Sequence, residues 1–207
     1  NAIRRIAGID VSFPEHGQIA KAAIIVLRAE DLGLLEAAFA RRAVTLPYIP
    51  GLLSFREAPV IMDALNKLSA APDLLVCDGQ GLAHPRRFGL ACHLGILSGL
   101  PAIGVAKSRL IGEHPVLGDK KGEWVPLMDA EEVIGAVLRT RDRTKPVYVS
   151  IGHRISLETA VQHVLRCTTR YRLPEPTRLA HQAASGKLNE AIGDILRTQT
   201  NSFIMSG

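Results

Sequence analysis

Aromatic residues are scarce in this chain, with Phe, Trp and Tyr together making up 4% of its 207 residues. The core must therefore be aliphatic, built from Leu, Ile, Val and Ala. Cysteine is scarcer still. Cys77, Cys92 and Cys167 are odd in number and show no CxxC spacing, which argues against a disulfide framework and against a zinc site. Each thiol reads instead as a small buried hydrophobe in a protein of a reducing cytoplasm. Long apolar runs are missing too: nothing approaches the roughly 20 residues of a membrane-spanning helix, and no signal peptide is visible. No repeat, low-complexity tract or linker interrupts the sequence. A single domain over 1–207, long enough to bury a substantial core, is the expectation.

What is present is positive charge. The formal net charge is +5, and it is unevenly spread. Between Arg139 and Arg178 stand Arg139, Arg141, Arg143, Lys145, Arg154, Arg166, Arg170, Arg172 and Arg178, against only Asp142, Glu158 and Glu175. One end of the molecule is therefore basic, which fits a polyanionic partner such as nucleic acid, although solvated helix faces also produce such runs.

Apolar patterning predicts strands over Ile6–Phe13 and Ile19–Arg28, joined by the turn residues Pro14-Glu15-His16-Gly17. Leu34–Val44 is ambiguous between strand and helix, and an antiparallel three-stranded start is preferred. A rigid loop Pro47–Gly51 precedes an amphipathic helix, in which Val60, Ile61, Ala64, Leu65 and Leu68 recur at helical period. Ser54 reads as its N-cap, with Glu57 at capping-box spacing. Leu74–Cys77 is a continuous apolar run that suits a central strand covered on both faces. A helix over Arg87–Leu100 and a strand over Ala102–Ala106 follow, then a basic loop over Lys107–Lys121. Strands are expected near Trp124–Leu127, Val133–Arg139 and Val147–Ile151. Helices close the chain at Ser156–Thr168, Glu175–Ser185 and Asn189–Arg197. Three early strands followed by alternating elements predict an α/β fold with a mixed sheet flanked by helices.

Three carboxylates stand out against this pattern. Asp10 emerges from the apolar run Ile6–Phe13 between Ile9 and Val11, and Asp78 closes the buried run Leu74–Cys77 just ahead of Gly79-Gln80-Gly81. A carboxylate on a buried strand is costly unless it is paired or holds a cation. Asp10 reads as a metal ligand or as a structural aspartate bonded to an amide or arginine. Asp78 reads as a ligand at a strand end open to close approach, or as a turn residue. Glu57 is a third ligand or merely a cap partner. Oxygen donors of this kind suit Mg²⁺. Tyr48, between Pro47 and Pro50, is preorganised to stack on or wedge between bases, with core packing as the alternative. His84, Lys107 and His181 are individually weak signals.

Taken together, several segments resemble endonuclease V, a family of deaminated-base repair nucleases in the ribonuclease H-like superfamily. They are Gly8-Ile9-Asp10-Val11-Ser12, Pro47 to Glu57, Asp78 to Arg87, Ile103-Gly104-Val105-Ala106-Lys107, Gly152-His153-Arg154 and Tyr171 to Arg178, and they run in the family's order from about residue 6 to 182. The resemblance implies a ribonuclease H-like fold and a Mg²⁺-dependent cut, with Mn²⁺ as the alternative ion. The implied cut is at the second phosphodiester 3′ to hypoxanthine, leaving a 3′-hydroxyl and a 5′-phosphate. It implies metal binding by Asp10, Glu57, Asp78 and His181, and a catalytic Lys107. Pro47, Tyr48, Ile49 and Pro50 would form a strand-separating wedge, and Gly51, Leu53, Gly79 and Leu110 would lie near the lesion pocket. His84, Arg86, Arg87 and Arg154 would contact the nucleic acid. Lesion-bearing DNA is the implied partner, inosine-containing RNA a second one, and a cytoplasmic monomer the expected form. A leading helix ahead of the first strand is also implied. A junction resolvase or hybrid nuclease shares scattered acids on strands, but gives no reason for the Pro47–Pro50 loop before Glu57. A non-catalytic binder predicts lost acids, and all three are here.

Overall fold

The computed structural model describes residues 2–47 and 49–188. Tyr48 and the expected helix Asn189–Arg197 lie outside the described residues. Eight strands form one sheet: β1 (Arg5–Ser12), β2 (Ile19–Arg28), β3 (Leu34–Ala43), β4 (Leu74–Cys77), β5 (Ala102–Ala106), β6 (Trp124–Asp129), β7 (Glu132–Leu138) and β8 (Val147–His153). Their order is β3-β2-β1-β4-β5-β8-β7-β6. The central trio β1, β4 and β5 is parallel, and all other pairings are antiparallel. The helices are α1 (Leu53–Leu65), α2 (Leu90–Ser98), α3 (Leu157–Arg166) and α4 (Glu175–Ala184).

Strand alternation divides the core between the two faces of the sheet. Ala7, Ile9, Ile24, Leu75 and Cys77 point to one face and pack against Ala58, Ile61 and Ala64 of α1 and Leu90 and Leu94 of α2. Ile6, Leu74, Val76, Ile103 and Val105 point the other way, onto Leu157, Ala160, Val161 and Val164 of α3. On that second face α4 covers β2, with Ala180, Ala183 and Ala184 against Ala23, Ile25 and Leu27. The three thiols are buried and unpaired. Burial pushes all of them up, Cys77 furthest and Cys167 to about 12.

Leu34–Ala43 is a strand, completing the three-stranded start. Two expectations fail locally. Ser54 is not an N-cap: α1 starts at Leu53, no side chain caps it, and Ser54 is buried one residue inside, 3.3 Å from Nδ1 of His93 on α2. The capping-box spacing to Glu57 is therefore coincidental, because Ser54 is drawn to the neighbouring helix rather than to its own amides. Second, α2 begins at Leu90 rather than Arg87. Arg87 adopts a left-handed φ of 52°, and Gly89 presses against the Gly79–Gly81 turn, where a Cβ would meet Gln80 O at 2.3 Å. The chain cannot turn helical until it has cleared that contact.

Candidate active site

The acids are brought together by strand register. Parallel pairing aligns Gly8 with Val76 and Ile9 with Cys77. One step further along, Asp10 stands beside Asp78, whose amide donates to Ile9 O at 3.2 Å. Adjacent strands lie about 4.8 Å apart, so the two carboxylates share one end of the sheet and one face. That face is the one α4 covers. Gly8 allows the approach, since a Cβ there would lie 1.9 Å from Pro176 O. Further along, Ser12 Oγ donates to Ala184 O at 2.8 Å. Between these anchors α4 carries His181 over Asp10, with Nδ1 2.9 Å from Asp10 Oδ2.

Asp10, Asp78 and His181 each offer one ligand atom, and these atoms all lie within 4.8 Å of one another. Glu57 enters from α1 on the other side. Burial first, then the charges of Asp10 and Asp78, push its carboxyl up to about 8. Asp10 is raised as well, by burial and then by Asp78, against an opposing contribution from His181. Lys107, one residue beyond β5, donates to Asp78 Oδ2 at 2.6 Å. The donor set therefore fits a hard divalent cation: two carboxylates and an imidazole with their ligand atoms close together, a third carboxyl raised by both charges, and one ammonium on Asp78.

Beside these acids lies a pocket of about 340 Å³, lined by Gly51, Leu53, Ser54, Glu57, Asp78, Gly79, Gln80, His84, Pro85, Gly89, Leu90 and Leu110. Its volume is at the small end for ligand clefts. Gly51, Gly79 and Gly89 are among its lining residues, and the chain packs closely behind Gly79, where a Cβ on Gly104 would meet Gly79 O and Gly81 N at 2.6 Å. His84 is buried, and its Nδ1 accepts from Arg86 N at 3.2 Å. The neutral ring then carries its proton on Nε2, and burial, followed by the Arg86 charge, lowers its pKa. Arg86 itself donates to Gly51 O at 3.3 Å, tying the mouth of the pocket to the loop ahead of α1. In that loop Ile49 is exposed, and Pro47 and Pro50 flank it.

The structure thus gathers Asp10, Asp78, Lys107 and His181 at one centre, with Glu57 close enough to be raised by both aspartates, and Gly51, Leu53, Gly79, His84 and Leu110 around the adjoining pocket. Of the expected nucleic-acid contacts, Arg154 lies elsewhere. Arg154 follows β8, which runs antiparallel to β5, so it sits at the opposite end of the sheet. There it donates to Gly99 O at 3.0 Å and lines a hollow with Asp73 and Pro101. Arg87 stays beside the pocket residue His84, with its guanidinium engaged by Glu132 and Asp129. Sequence reasoning missed Gln80. It lies within the quoted motif, lines the pocket, donates to Ser108 O at 3.3 Å and keeps a buried Oε1 that has no partner among the described residues.

A mixed sheet of this order, flanked by helices and with acids at the adjacent ends of its central strands, defines a ribonuclease H-like nuclease. Its particular kind follows from its relatives. The endonuclease V family model matches residues 1–182, and the chain belongs to that family. An endonuclease V of Trichormus variabilis is 56% identical over 185 residues, covering 89% of this chain and 84% of its own. The crystal structure of endonuclease V from Streptomyces avermitilis superposes with a TM-score of 0.86 at 45% identity, covering 91% of this chain and 82% of that one. Endonuclease V of Ciona intestinalis, solved with a 24mer DNA containing an inosine followed by a ribo-adenosine, has a TM-score of 0.78 at 31% identity, with 91% and 87% covered. Among the described residues no helix is long and apolar enough to cross a membrane.

Proposed function

We propose that this enzyme is a DNA repair endonuclease that takes a flipped hypoxanthine into the pocket and hydrolyses the second phosphodiester bond 3′ to it, leaving a 3′-hydroxyl and a 5′-phosphate. The observation that carries the reading is that Asp78 and Glu57 belong both to the wall of the pocket and to the cluster of acids. A base held in the pocket thereby keeps its own strand beside the acids. Base flipping is easiest where pairing is already weak, as at a deaminated base.

Asp10, Glu57, Asp78 and His181 would hold Mg²⁺, or Mn²⁺ in its place. When bound, such a cation supplies charge stabilisation at a phosphate and lowers the pKa of a bound water. The chain's own groups do the rest. His181 orients the Asp10 carboxylate. Lys107, fixed on Asp78, presents a cation to the negative charge that develops on the phosphate. The loop of Pro47, Ile49 and Pro50 would act, with Tyr48, as the wedge that holds the duplex open, and Arg86 braces its base. The whole chain acts as one catalytic domain, a monomer working in the cytoplasm.

Inosine-containing RNA is a second substrate class, favoured by the ribo-adenosine that follows the inosine in the DNA bound to the Ciona intestinalis enzyme. The test is an end-labelled duplex carrying one deoxyinosine, incubated with Mg²⁺ and then with a chelator, beside the same sequence in RNA. A nick one nucleotide beyond the inosine, lost on chelation, is expected. An intact inosine duplex with a cleaved junction or RNA–DNA hybrid would overturn the reading.

A further inference from the structure

The outermost hairpin of the sheet, β6–β7, contributes no residue to the acid centre or to the lining of the pocket. Both of the long loops that wall the pocket nevertheless end on its tip. On one side, Arg87 donates from Nε to Glu132 Oε2 at 2.6 Å and from Nη2 to Asp129 Oδ2 at 2.8 Å. Its Nη1 reaches back to His84 O at 3.2 Å, and its backbone amide donates to the same carbonyl at 2.8 Å. His84 and Pro85, which line the pocket, are thus strapped to the hairpin through one guanidinium. On the other side, Glu113 and Met128 exchange backbone hydrogen bonds of 2.7 and 2.8 Å. Gly112, at φ 82°, lies so close that a Cβ would meet Met128 O at 2.6 Å. This second strap fixes the loop that carries Leu110 into the pocket.

We propose that the β6–β7 tip is a caliper that sets the width of the base pocket, with Arg87 as the positioning residue of one jaw. The inference rests on the pocket being the base site. Exposed ion pairs add little to stability, and these are partly exposed, with side-chain exposures of 30% for Arg87, 44% for Asp129 and 53% for Glu132. A planar fork holding two carboxylates and a carbonyl fixes direction instead. It also requires Arg87 to stay in its left-handed backbone conformation. Three donors of the guanidinium are already in use, so the expectation that Arg87 contacts nucleic acid gives way to a role acting through His84 and Pro85.

Steady-state cleavage of a deoxyinosine duplex, and of the same duplex with adenine at that site, tests the caliper. The proteins are the wild type, Arg87→Ala, the double variant Asp129→Asn/Glu132→Gln, and the two combined. Arg87→Ala and the acid double variant should each raise KM for inosine by about tenfold, with a much smaller change in kcat. Each should lower inosine-over-adenine discrimination by a similar factor. The combined variant should be no worse than either, because one linkage is being cut twice. The salt slope of binding should not change. A phosphate contact would do the reverse: Arg87→Ala would reduce that slope by about one, while the acid double variant bound DNA as tightly as the wild type or more so. That result, or unaltered discrimination in every variant, overturns the caliper. Failure of the wild type to cut inosine duplex is a separate result that removes the base-site reading itself.

Discussion

Glu57 is held where its charge is least welcome. Burial, followed by the charges of Asp10 and Asp78, pushes its carboxyl from 4.5 up to about 8. A carboxyl raised on folding binds more protons in the folded chain than in the unfolded one. The stability it lends is therefore fully present below about 4.5 and is lost as pH rises through about 8. Metal-free Glu57→Gln should accordingly be more stable than wild type at pH 9, by roughly 1–3 kcal/mol, with little difference at pH 5. Denaturant melts at the two pH values check this, and parallel curves would refute the burial of charge. Asp78→Ala should abolish cleavage yet leave lesion binding within a few-fold, since it removes a proposed ligand and frees Lys107; gel-shift and nicking assays separate the two. At this scale the sequence was informative where burial conflicts with charge. Asp10 and Asp78 are legible because each interrupts or closes an apolar run. Arg87 is not, because its partners Asp129 and Glu132 lie on a hairpin more than forty positions away, and nothing local to Arg87 points to them.

Elements were legible in proportion to how local their causes are. Leu74–Cys77 and Ala102–Ala106 coincide with their apolar runs. The start of α2 does not, because a contact between Gly89 and the Gly79–Gly81 turn decides it. Helix α4 shows the same dependence on a distant glycine. Its N-terminal turn rests directly on Gly8 of β1 through Pro176, and His181 follows five residues later. Gly8→Ala should push Pro176 away from the strand, costing about 1–3 kcal/mol of stability. It should also lower kcat by more than the stability loss explains, because His181 moves off Asp10. Chemical denaturation paired with single-turnover cleavage distinguishes this from simple destabilisation; full activity in folded Gly8→Ala would sink the link between α4 and the acids.

Across the whole molecule, the basic excess foreseen between Arg139 and Arg178 is real in sequence but divided in space. Arg154 lies at the far end of the sheet, Arg178 is paired with Glu175, and Arg172 donates to Pro146 O and Lys107 O. The order of strands decides this. The placement of β8 between β5 and β7 follows from long-range pairing that no local pattern announces. If about six phosphates are still neutralised, log binding against log salt should have a slope near −5 on duplex DNA; a flat response would show that charge does not drive binding. The buried thiols bear on the conditions in which such an enzyme would work. Nitrosating agents deaminate adenine to hypoxanthine, and they also attack thiolates. Cys77 packs against α1, which carries Glu57, so modifying it would disturb that packing, yet all three thiols are enclosed and held protonated. An agent that creates the lesion would therefore spare a protein proposed to cut beside it. Cleavage activity should survive a nitrosothiol dose that fully modifies an exposed cysteine.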